Sequence, residues 1–153
     1  MLEFRGVLMV GVLATALLGA AAVQATGDPD EAIKYRQMVM RSNAEHLGAI
    51  AAILKGKVPH GGHIIGHARA LREASLMYDD IFPPDSDFGL TRAKPEIWQQ
   101  PDKFKAGLKT FQDAAIVLVQ AAESGDMGAI GAAARGLGMG CGGCHKPFRA
   151  PKE

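Results

Sequence analysis

Cys141-Gly142-Gly143-Cys144-His145 is the stretch from which the rest of this chain is read. It has the form Cys-x-x-Cys-His, the signature for covalent haem attachment. Each thiol adds across a haem vinyl group to give a thioether, and the imidazole ligates the iron. On a helix, residues three and four apart share a face. Cys141, Cys144 and His145 therefore look at one object, a flat porphyrin held at two edges and at its metal. A bare Cys-x-x-Cys is weaker evidence, since a thiol redox pair or half of a zinc site reads the same way. The chain has no other cysteine to complete a zinc site, and nothing strand-like precedes the motif. A disulfide between cysteines three apart on a helix has awkward geometry. The cofactor expected is one haem c, bound through Cys141 and Cys144 with His145 as fifth ligand.

The opposite end of the chain reads as an exported leader. Arg5 is followed by an apolar run from Val7 to Val23 and by Gln24-Ala25, the pattern of a secretory signal peptide cleaved near Ala25. An uncleaved anchor is the alternative, because about seventeen apolar residues is near the minimum for a span. Export suits the motif, since haem is attached to thiols outside the bacterial cytoplasm. The expectation is a leader over 1–25, one domain over 26–153 and a periplasmic location. Lysine and arginine number 17 against 16 aspartate and glutamate, which argues against nucleic acid as a partner. Aromatics make up only 6%; small residues let helices approach closely, and a haem would supply much of the apolar core.

Four helices follow from periodicity. The first spans Glu31 to about Lys55, with Ile33, Met40, Leu47 and Leu54 repeating every seven and Ala44 and Ile50 or Ala51 between them. Gly56, Pro59, Gly61 and Gly62 break it. The second runs from about His63 to Ile81 with Ile64, Ala68, Leu71, Ala74 or Ser75, and Tyr78 inward, and Phe82-Pro83-Pro84 ends it. Residues 85–101 have no period and read as a long irregular connection, with Trp98, the only tryptophan, tied against the core or the cofactor. The third helix, Asp102 to Ser124, carries Phe104, Leu108, Phe111, Ala115, Leu118 and Ala122 on one face. Gly125-Asp126 makes the next turn. The fourth carries Met127, Ile130, Ala134, Leu137 and Phe148 on the same stripe as the haem motif. The fold expected is all-α, an antiparallel up-and-down four-helix bundle.

A second axial ligand decides what the iron does. Eight residues follow His145, so such a ligand comes from upstream. The candidates are Met38, Met40, Met77, Met127, Met139, His46, His60, His63 and His67. Met127 and Met139 share a helix with the motif and cannot cross to the distal side. Met77 leans inward but is remote. Met40 sits on the first helix's stripe, one turn after Arg36. By spacing alone, a methionine on an apolar stripe is more often core than ligand.

The chain resembles the class II c-type cytochromes, the family of cytochrome c′ and cytochrome c-556. The matching residues are Ala32-Ile33-Lys34-Tyr35-Arg36-Gln37, Lys55-Gly56, Lys94-Pro95-Glu96-Ile97-Trp98, Phe104-Lys105, Phe111-Gln112-Asp113 and Cys141 through Arg149. Within that family the position four after the first-helix arginine sets the iron's state. A non-ligand there leaves five-coordinate iron that meets small gases; a methionine gives six-coordinate, low-spin iron. The resemblance therefore implies Met40 as distal ligand and a periplasmic one-electron carrier, with a five-coordinate nitric oxide- or carbon monoxide-binding protein as the alternative.

The resemblance also places Arg36 toward a haem propionate, with Gln37 as a weaker contact; a solvated surface arginine is the other reading of Arg36. Arg149, one turn after His145, tunes the imidazole or simply favours the helix end. Trp98 closes the haem edge or packs in the core. Lys146, Arg149 and Lys152 form a basic cluster suited to an acidic redox partner, soluble or membrane-bound. His60, His63 and His67 have chelate spacing, though such sets are commonly solvent-facing. The family also implies a possible homodimer through the first two helices. No polar pair beside Met40 suits acid–base catalysis, so an enzyme is not expected.

Overall fold

The computed structural model describes residues 28–152. The expected leader lies outside the described residues. Five α-helices are present: α1 (Pro29–Leu54), α2 (Ile64–Leu76), α3 (Glu96–Gln99), α4 (Pro101–Ser124) and α5 (Met127–Phe148). The four long helices form the expected bundle. In it α1 packs on α2, α2 on α4, α4 on α5, and α5 back on α1. Among the described residues there is no strand, and no helix is long and apolar enough to cross a membrane.

Local chemistry sets the helix ends. Asp28 accepts a bond from the Asp30 amide at 2.9 Å, and Pro29 opens α1 where its missing N–H has no cost. Gly56, at φ +66°, lets the chain leave α1 through the left-handed region. Asp126 caps α5 by accepting from the amides of Gly128 and Ala129 at 2.7 and 3.0 Å.

The core follows the expected stripes on three of the four long helices. Ile64, Ala68, Leu71, Ser75 and Tyr78 are buried from the second segment, and Phe104, Leu108, Phe111, Ala115 and Leu118 from α4. On α5, Ile130, Leu137 and Phe148 are buried, but Met127 is exposed and Ala133 is buried beside a half-buried Ala134. The face of α1 is rotated from the expected stripe. Ile33, Arg36, Val39, Asn43, Ile50 and Ile53 are buried, whereas Met40, Leu47 and Leu54 are half-buried and Ala44 is exposed. The reason is that this face takes in two polar residues, Arg36 and Asn43, which an apolar count skips.

Two further boundaries differ from expectation. The second helix tightens to a 3₁₀ turn over Met77–Asp79, so it stops short of Ile81. The connection before α4 is not structureless. It contains α3, and its segment around Ala93 pairs with Arg149: the Lys94 amide donates to the Phe148 carbonyl at 3.0 Å and the Ala150 amide to the Arg92 carbonyl at 2.8 Å. This pairing satisfies backbone groups where α5 ends.

Candidate haem site

Cys141, Cys144 and His145 lie half-buried on the last turns of α5. Both thiols are free. Burial holds each above the usual thiol range; the charge of Arg149 opposes this at Cys141, and Cys141 adds to it at Cys144. His145 is pushed the other way, first by burial and then by the charges of Arg149 and Arg92, so it favours the neutral form that ligates metal. Arg149 also donates its backbone N–H to the His145 carbonyl at 3.0 Å, while its side chain is exposed.

Small residues face the motif. A methyl group built on Gly107 of α4 would stand 3.6 Å from the Cys144 sulfur, and one on Gly140 would stand 3.5 Å from the Phe111 backbone. Both distances are ordinary van der Waals contacts, so a methyl group would just fill the space between α4 and α5 at these two positions. Cys144, Gly107, Gly140 and Gly143 border a groove of about 500 Å³ between the two helices. Among the described residues, nothing stands within 4 Å of a methyl group added at Gly138, Gly142 or Gly143.

Across the bundle, Met40 is half-buried against the core. Its thioether sulfur accepts a hydrogen bond from the Tyr78 hydroxyl at 3.6 Å. That hydroxyl in turn accepts from the Asn43 amide nitrogen. The Tyr78 ring stacks on Phe111 at 5.3 Å between centroids. Burial raises the Tyr78 pKa; the Asn43 bond opposes the rise, and the charges of Cys141 and Cys144 add to it. Tyr78 thus links Met40 of α1, through its ring, to Phe111 of α4. Periodicity places Tyr78 only in the core; the signal for its further role is that a buried tyrosine hydroxyl needs a partner. The other methionines are elsewhere: Met38, Met127 and Met139 are exposed, and so is Met77, which receives a bond from the Tyr35 hydroxyl at 3.7 Å.

Arg36 is 4% exposed, which removes the reading of a solvated arginine. Its guanidinium donates to the Ile81 carbonyl (3.3 Å), the Ser86 hydroxyl and carbonyl (both 2.9 Å) and the Thr91 hydroxyl (3.0 Å), and it lies over the Phe82 ring. All four acceptors are neutral. A buried cation without a carboxylate is costly, and the desolvation lowers its pKa. Gln37 donates to the Leu90 carbonyl at 2.6 Å. Trp98 is half-buried and donates to the carbonyls of Phe82 and Pro83 at 3.3 and 3.1 Å. Phe82, Phe104 and Phe148 continue this cluster edge-to-face. Arg36, Gln37 and Trp98 thus converge on the connection between α2 and α4, a role that sequence spacing did not assign them.

These residues suit haem c on chemical grounds. Two free thiols and an imidazole biased toward its neutral form occupy one helix face, glycines line the approach, and among the described residues the buried Arg36 cation has no anionic partner such as a propionate would supply. Fold and site together define a class of helical-bundle haem proteins. The family model described as Cytochrome C′ matches residues 31–149. A cytochrome c′ of Rhodospirillum rubrum is 35% identical over 143 residues, covering 93% of this chain and 97% of that one. A cytochrome c-556 of Agrobacterium tumefaciens is 34% identical over 122 residues, covering 78% and 98%. A cytochrome c prime mutant from Alcaligenes xylosoxidans, solved as its nitric oxide complex, superposes with a TM-score of 0.76 at 32% identity, covering 82% of this chain and 98% of that one. The chain belongs to the cytochrome c′ family of class II c-type cytochromes, and haem c is its cofactor.

Proposed function

We propose that this chain is an exported cytochrome c′-type protein that binds a small diatomic gas, nitric oxide or carbon monoxide, on the Met40 side of its haem. The observation that carries this reading is the Tyr78–Met40 hydrogen bond, which gives the thioether a partner other than iron. Relatives named cytochrome c′ and the nitric oxide complex support it. The haem supplies a reversible one-electron couple and a coordination position for the gas. Cys141 and Cys144 would hold it covalently as thioethers, and His145, kept neutral, would ligate its iron. Tyr78, braced by Asn43 and Phe111, keeps the Met40 sulfur engaged. Arg36 offers a buried positive charge for a propionate while securing the α2–α4 connection. Lys146, Arg149 and Lys152, all exposed, would give a basic docking face for an acidic redox partner. Catalysis is no part of this reading.

A second reading is favoured by Met40 itself. A thioether retains acceptor capacity beyond one weak bond, and His/Met ligation raises the reduction potential and suits an electron carrier. Relatives named c-556 are consistent with it. Carbon monoxide affinity of the ferrous protein, wild type beside Met40→Leu, separates the two. Gas binding predicts that both bind, within about threefold. The carrier reading predicts that only the variant does.

A further inference from the structure

Four of the five histidines gather where α1 passes the start of α2, and the haem site uses none of them. His46 of α1 and His67 of α2 meet through their Nδ1 atoms, 2.9 Å apart, with ring centroids at 5.2 Å. Both are half-buried. His63, exposed, lies four residues before His67, a spacing that puts both imidazoles on one helical face. It stacks on His60 at 4.9 Å.

We propose that His46 and His67 form a binding site for a divalent zinc-like ion bridging α1 and α2, with His63 or water completing its coordination. Two imidazoles on one tetrahedral zinc have metal–nitrogen distances of about 2.0–2.1 Å. That places their nitrogens about 3.3 Å apart and their ring centres about 5.2 Å apart. The observed ring centres already have this separation, but the rings meet head-on through their Nδ1 atoms, 2.9 Å apart; metal binding requires each ring to turn by about 35° so that the two lone pairs converge on one point. Two neutral imidazoles whose Nδ1 atoms face each other can share one proton, carried by either ring. An ion taking that place draws on both lone pairs, with the ring protons moved to Nε2, so no net proton is released from the neutral pair. Burial, reinforced by the nearby His46 and His63, keeps His67 biased toward its neutral form. Among the described residues no three His, Cys, Asp or Glu side chains already converge, so the core of the site is the pair, and a third ligand comes from His63 turning inward or from water.

Zinc is the suitable probe because it has no redox chemistry to disturb the haem. Zn²⁺ is titrated calorimetrically into purified holoprotein at pH 7.5, with proton NMR of the histidine ring signals alongside. The proposal predicts one ion per chain, perturbation of the His46 and His67 signals in the wild type, and a raised melting temperature. It predicts at least tenfold weaker binding in His46→Gln and in His67→Gln, each with an unchanged haem spectrum. His60→Gln stays within about twofold of wild type. Absence of binding below millimolar Zn²⁺, or binding that leaves the His46 and His67 signals unmoved, overturns it. The NMR result decides even where a variant folds poorly.

Discussion

Tyr78 makes three contacts with one side chain. It stacks on Phe111, receives the Asn43 amide and donates to Met40. Tyr78→Phe keeps the stack but removes both hydrogen bonds and leaves a buried amide without its acceptor. We expect a loss of about 1–3 kcal/mol in the denaturation of the holoprotein. We also expect weaker carbon monoxide binding, because a freed Met40 sulfur competes for the iron. Unchanged gas affinity in that variant would separate Tyr78 from the distal site. Arg36 carries a comparable share of the structure. Arg36→Ala strips four oxygens of their donor and should cost about 2–4 kcal/mol. Arg36→Lys should recover less than half of that, since an ammonium lacks the planar fork; urea denaturation measures both. Cys141, Cys144 and His145 were legible from five consecutive letters because the chemistry is local. The roles of Arg36, Gln37 and Trp98 were not, because their partners lie some 15 to 55 residues away along the chain, at the end of the second helix and in the aperiodic segment after it.

At the scale of elements, α5 is the weakest by composition, with glycine at 136, 138, 140, 142 and 143. Each glycine costs about 1 kcal/mol against alanine in a helix. They are not equivalent. Gly140 lies against the Phe111 backbone, whereas among the described residues nothing stands within 4 Å of a methyl group added at Gly138. Gly138→Ala should therefore stabilise the holoprotein by about 0.5–1 kcal/mol, read as a higher denaturation midpoint with an unchanged haem spectrum. A larger residue at 140, such as leucine, should lower the midpoint by forcing α4 and α5 apart. The helices themselves were readable from their periods and caps, Asp126 above all. The rotated face of α1 was not, because two of its buried positions are polar. The one-turn α3 was missed because a four-residue helix has no period to detect.

For the whole molecule, the bundle brings together groups that sequence distance hides. Arg92 reaches the neighbourhood of His145 through the Ala93–Arg149 pairing, and His46 reaches His67 through the α1–α2 contact. The second meeting has a pH consequence. His67 is held below the ordinary imidazole pKa by burial, and further by His46 and His63. The unfolded chain then binds a proton near pH 6.5 that the folded chain resists. Stability accordingly falls as pH drops through that value and below, and is flat above it with respect to this group. His67→Gln should shrink the difference between urea midpoints at pH 7.5 and 5.5; an undiminished difference would assign the acid sensitivity elsewhere.

Whether the iron keeps a free side is tested most directly by the absorption spectrum of the ferrous holoprotein, recorded before and after adding carbon monoxide. The account predicts a high-spin spectrum that shifts on exposure to the gas. A low-spin spectrum that saturating carbon monoxide leaves unaltered would contradict it, and would place the Met40 sulfur on the metal instead of on Tyr78.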